Sequence, residues 1–186
     1  MATLVSKLAI GSAIAASLAL PAALLIVKAF FISYYVIPQN GMYPGLPAGS
    51  VFFAMQHPYA ASSQVKRADI VVFTRHTDAG RYVYIWRVIG LPGDTIEAAG
   101  ERLVINGQPI ARERLREEQG LGIFRERVWQ ASYEIAISRS PRDLPPPASL
   151  TVPPDQFFVM GDNRFNAVDS RYFGPIPFDA IVGRKL

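Results

Sequence analysis

The chain has 186 residues, 19 of them basic and 15 acidic, and no cysteine. That excludes disulfides, thiol catalysis and cysteine-ligated metal, and with only His57 and His76 as imidazoles no zinc site is expected. Two of the 19 basic residues, Lys7 and Lys28, flank one apolar block, which leaves 17 against 15 acids elsewhere. No basic stripe with interleaved aromatics is visible, so nucleic acid is not an expected partner.

Leu8 to Val27 carries no charge and is rich in Ala, Leu and Ile. As a helix, a run of that length spans roughly 30 Å, the thickness of a bilayer core. Pro21 lies inside it, which a membrane helix tolerates. Lys7 and Lys28 stand where cationic side chains reach the head groups, and Phe30, Phe31, Tyr34 and Tyr35 follow as an interfacial aromatic belt. Residues 1–28 are therefore read as a tail and membrane anchor. A signal peptide cleaved near Ser17-Leu18-Ala19 is the alternative, disfavoured because the apolar run continues past that site.

From residue 29 onward the pattern becomes β-type. Val51–Met55, Ile70–Thr74, Tyr82–Ile89, Leu103–Ile105 and Phe157–Met160 read as strands, and Asn106-Gly107 as a hairpin turn. Tyr82–Ile89 is apolar on both faces and is expected in a sheet interior, stopped by Gly90-Leu91-Pro92-Gly93-Asp94. Residues 111–150 read as an excursion from the main sheet, partly mobile. Within it, Arg112–Gln119 suggests a solvated helix or turn, and the prolines of 140–147 exclude sheet interior. The fold class is mainly β, with one preceding transmembrane helix.

Three stretches carry the chemistry. They are Ile37-Pro38-Gln39-Asn40-Gly41-Met42-Tyr43-Pro44-Gly45-Leu46, the strand with its upstream Ala68-Asp69-Ile70-Val71-Val72-Phe73, and Gly161-Asp162-Asn163-Arg164-Phe165-Asn166-Ala167-Val168-Asp169-Ser170-Arg171. At these residues, and at Leu103–Gly107 and Ile181–Gly183, the chain resembles the bacterial signal peptidase I (leader peptidase) family. The resemblance runs from the anchor to the C-terminus. It implies a signal-peptidase-like β domain over residues 29–186, single-pass in the cytoplasmic membrane and on its outer face. It also implies an endopeptidase that removes signal peptides with a serine nucleophile and a lysine base, without metal or cofactor.

A serine hydroxyl needs a neighbouring base, and a lysine serves when burial leaves it neutral. The resemblance puts the nucleophile at Gly41, the base at Trp86, a lysine-orienting serine at Ala167 and an oxyanion-hole serine at Gln39. Glycine and alanine have no hydroxyl and an indole is no base. Loss of a nucleophile alone costs on the order of 10⁶ in turnover. Ser50, Ser62 and Ser63, or His57 and His76, lie outside the family positions. The indole of Trp86 is expected over Gly41, filling the former active site.

The peptide groove is expected along Met42, Pro44, Tyr82, Tyr84 and Ile85, by β-strand addition. Arg87, Asp162, Asn163, Arg164, Asp169 and Arg171 read as structural, with Arg87–Asp162 and Asp169–Arg171 as ion pairs. The leading expectation is an inactive homologue that holds exported preprotein segments or associates with an active peptidase. The alternatives are an active peptidase with a rearranged site and a purely structural membrane subunit.

Overall fold

The computed structural model describes residues 31–141 and 144–186. The anchor expected over 8–27 lies outside the described residues. Among the described residues no helix is long and apolar enough to cross a membrane.

Among the described residues the chain forms fourteen strands. The first seven are β1 (Ile32–Val36), β2 (Val51–Gln56), β3 (Ile70–Thr77), β4 (Gly80–Gly90), β5 (Thr95–Ala99), β6 (Arg102–Ile105) and β7 (Gln108–Pro109). Then come β8 (Ala111–Glu118), β9 (Leu121–Val128), β10 (Ala131–Ser138), β11 (Ala148–Thr151) and β12 (Gln156–Met160). A single-turn helix, α1 (Ser170–Phe173), precedes β13 (Ile176–Pro177) and β14 (Ile181–Lys185). The main sheet has the order β1-β2-β14-β3-β4-β12-β13; β11-β5-β6-β7 and β10-β9-β8 form two smaller sheets.

Each strand expected from sequence forms, extended by one to three residues at an end. Asn106 and Gly107 both take positive φ, 52° and 74°, as a two-residue hairpin turn between right-twisted strands requires. Strands β4 and β12 separate two cores. Trp86, Val88, Phe157 and Val159 face one, while Ile89, Phe158 and Met160 face the other, against Ile96, Leu103 and Ile105. This is period-two alternation with both faces apolar. The burial expected along the whole of β4 holds only for its second half. Tyr82 and Val83 are 46% and 55% exposed, because β12 pairs with β4 only from Arg87 to Gly90.

Within residues 111–150, expected to leave the main sheet, the helix or turn expected over Arg112–Gln119 is instead a strand in a sheet separate from the main one. That sheet is three-stranded and antiparallel. Some Arg and Glu of β8 pair across the sheet, Arg112 with Glu126 at 2.8 Å and Glu113 with Arg127 at 3.2 Å, while Arg114–Glu117 and Arg116–Glu118 pair along the strand. Opposite charges facing across strands favour the cross-strand pairing. The Gln119-Gly120 turn, with φ of 52° and 75°, closes the hairpin.

Candidate functional site

The segment after β1 is pinned at Gly41, the position expected from sequence for the nucleophile. Gly41 is buried, and its carbonyl accepts from the Asn163 N–H at 3.0 Å. Asn163 Nδ2 donates to the Asn40 carbonyl at 3.1 Å, tying the 161–174 loop to this turn. The Gly41 N–H finds no backbone acceptor among the described residues.

Trp86 reaches the same point from β4. A Cβ placed on Gly41 would lie 2.5 Å from Trp86 Cη2 and 2.7 Å from Cζ3. Position 41 therefore has no room for a side chain while this indole is in place. Trp86 is 4% exposed, and its Nε1–H donates to the Val168 carbonyl at 3.1 Å. The same edge of the ring also meets the 161–174 loop: a Cβ on Gly161 would lie 3.1 Å from Trp86 Cζ3 and 2.8 Å from the Gly41 carbonyl oxygen. Ala167 packs against Gly161 in the same layer. The structure thus brings Gly41, Trp86 and Ala167 together. The three positions expected from sequence to hold the nucleophile, the base and its orienting hydroxyl carry there a hydrogen, an indole and a methyl.

Of the serines outside the family positions, Ser50 and Ser62 are engaged elsewhere. The Ser50 hydroxyl donates to the Pro47 carbonyl, and the Ser62 hydroxyl is bound to the Asp155 carboxylate in a separate cleft with Phe178 and Asp179. Ser170 Oγ is buried and accepts from the Val159 N–H at 2.9 Å. Lys185 Nζ bonds the C-terminal residue's carbonyl.

Buried charge surrounds the plug. Arg87 makes a two-pronged pair with Asp162, at 2.7 and 2.6 Å, and lies over the Tyr133 ring at 4.1 Å. Asp169 is fully buried; it accepts from Arg171 Nε and Nη2 and from the Gly161 N–H at 2.9 Å, and it caps α1. Arg164 forks onto Glu126, a fully buried carboxylate that also accepts from Arg112 and Tyr133. Burial opposes ionisation of Glu126, but the guanidiniums of Arg164 and Arg112 outweigh it and hold its pKa at about 2. Burial and then Glu126 push the Tyr133 phenol well up, so it stays a donor.

Glu126, Arg112 and Tyr133 escaped the sequence reading. A signal existed: Glu126 shares strand parity with Phe124 and Val128, so it faces inward and needs a cationic partner.

Two cavities meet at this point. One, about 220 Å³, is lined by Ile37, Pro38, Gln39, Met42 and residues 82–86. It takes in Met42, Tyr82, Tyr84 and Ile85 of the expected groove; Pro44 is not on its wall. The other, about 670 Å³, lies toward β10 and is lined largely by carboxamides and hydroxyls. Gln39, expected at the oxyanion position, is exposed and borders both.

A family profile described as signal peptidase, peptidase S26, matches residues 10–186. A signal peptidase I of Pseudomonas aeruginosa is 32% identical over 87% of this chain, which spans 66% of that relative's length. Signal peptidase I T of Bacillus subtilis is 31% identical over 86% of this chain and 74% of its own. The solved structure of a signal peptidase I from Enterococcus faecalis aligns with a TM-score of 0.40 and 26% identity, over 65% of this chain and 96% of that one.

Proposed function

The chain belongs to the signal peptidase S26 family, and from that premise we propose that it is a catalytically silent member that holds extended peptide without cutting it. The observation that carries this reading is the indole of Trp86, 2.5 Å from where a Gly41 side chain would begin. A peptide carbonyl brought beside Gly41 would meet a free amide donor and nothing to attack it. Oxyanion stabilisation without nucleophile or base leaves only a small residue of catalysis.

Holding is supported by the open edge of β4. Strand β3 pairs with residues 80–87 on one side, while β12 engages only Arg87, Val88 and Gly90 on the other. The outer edge of 81–86 therefore offers main-chain groups for strand addition. Beside it, Ile37, Met42 and Ile85 line a cavity sized for short apolar side chains. The ligands would be exported preprotein segments or a peptide of an active peptidase. The N-terminal apolar block would tether the domain to the outer face of a cytoplasmic membrane.

The test is cleavage of a preprotein ending its signal in Ala-x-Ala, by the wild-type chain and by a Gly41→Ser, Trp86→Lys, Ala167→Ser triple variant. An inert parent and a cleaving variant are the expected pair. A parent that cleaves as fast as the variant overturns the reading.

A further inference from the structure

The cavity toward β10 has chemistry that the silent site does not use. Five of its lining residues are carboxamides: Gln39, Asn40, Gln119, Asn163 and Asn166. None of its lining residues is charged. A carboxamide both donates and accepts, as a peptide unit does. Tyr43, 5% exposed, forms part of the wall, and its buried hydroxyl has no partner within hydrogen-bond geometry. Hydrogen bonding toward the Glu118 carboxylate and then burial push the phenol's pKa up, so a ligand acceptor here competes with Glu118 for the hydrogen.

A main-chain rung is open at the same place. The Ala136 N–H bonds the Asp162 carbonyl at 2.9 Å, and its carbonyl accepts from the Arg164 N–H at 2.9 Å. Both groups of Ala136 thus point away from β9 toward the loop. By the alternation of an antiparallel ladder, the N–H and carbonyl of Ser138 point the same way. The loop has left β10 by then, and no backbone partner for Ser138 on that side exists among the described residues. Ser138 lines the cavity.

We infer that this cavity is a second binding site, for an uncharged polar peptide segment. Its main chain extends the β10 ladder at Ser138, and its amides meet Tyr43, Asn163 and Asn166. Gln39 borders both cavities, so one chain can pass from the β4 edge, across the plugged position, into the polar cavity. The ligand class is then bipartite, with short apolar side chains in one part and neutral polar residues such as Gly, Asn and Ser in the other. This rests on the peptide-holding reading and adds its second half.

The experiment uses the full chain in lipid nanodiscs and three labelled peptides: Ala-Val-Ala alone, Gly-Asn-Ser-Gly alone, and the two joined. The joined peptide should bind about tenfold tighter than the apolar half, as one or two added hydrogen bonds allow. Tyr43→Phe and Asn166→Leu should each remove most of that gain while leaving binding of the apolar half unchanged. Asn166 is exposed, so its variant is a safe fold control, checked by thermal melting. Exchange of the Ser138 amide should slow about tenfold on saturation with the joined peptide, because a new rung protects it.

A joined peptide no tighter than the apolar half overturns the inference and leaves the β4 reading standing. Binding of the polar half with no binding of the apolar half overturns the β4 reading and, with it, the bipartite ligand. Binding of neither half overturns both. A neutral oligosaccharide that occupies the cavity and displaces the polar half would assign it to another ligand class and overturn the inference.

Discussion

At position 41 a side chain and an indole compete for one volume. Adding a hydroxymethyl there with Trp86 in place forces atoms to within 2.5 Å, so Gly41→Ser alone should destabilise the fold by about 1–3 kcal/mol. Trp86→Ala alone should cost about 3–5 kcal/mol by emptying a buried site. The pair should not add. In the double variant the serine enters space the indole has left, and a favourable coupling of roughly 1–3 kcal/mol is expected from denaturant unfolding of the four proteins. Strict additivity would mean that the ring and the glycine do not share that space in solution. The meeting of Gly41, Trp86 and Ala167 could be expected before the structure. Gly41, Trp86 and Ala167 sit in motifs whose flanks are intact, so each replacement stands out by position alone. The polar cavity was not legible, because its carboxamides come from three separate stretches of chain and no spacing joins them.

Among the elements, the central sheet could be read from sequence because β-branched and aromatic runs end at glycine and proline. The β8–β9 hairpin could not, because Arg and Glu at mixed spacings support helical i,i+4 pairs and cross-strand pairs alike. Tertiary partners decide between them, and Glu126 is the decisive one. Its folded pKa of about 2 lies below its ordinary 4.5. Its ionisation therefore stabilises the fold above pH 4.5, by roughly 3 kcal/mol. That contribution fades as pH falls from 4.5 through about 2. Glu126→Gln leaves Arg164 buried without a counter-charge and should cost about 3–5 kcal/mol at neutral pH. The gap between variant and parent, followed by urea unfolding across that acid range, should shrink toward pH 2. A gap that stays constant would show that Glu126 carries no charge in the fold.

For the whole molecule, the strand that follows the apolar N-terminal block presents one apolar face outward. Tyr34 pairs with Phe53 and Val36 with Val51, and all four are more than half exposed. The alternate residues Tyr35 and Phe52 stack inward at 5.6 Å. Leu186, 54% exposed, adds to this end of the molecule and lines a cleft there with Ile32, Leu46 and residues 51–53. Contiguous exposed apolar surface of this kind marks contact with another phase or protein. A fragment beginning at Phe31, which contains every described strand, should float with liposomes. Tyr34→Ser with Phe53→Ser should cut the bound fraction several-fold. Equal flotation of the two fragments would assign this face to something other than lipid.

The contact between Gly41 and Trp86 also couples two positions that the proposed function treats together. A serine at 41 alone meets the indole, and a lysine at 86 alone stands over a glycine, with Ala167 offering it no hydroxyl. Under the proposed reading neither single change produces cleavage. A working serine–lysine pair would then need both positions changed at once, which makes the silent state a coupled property of two residues instead of a single missing group.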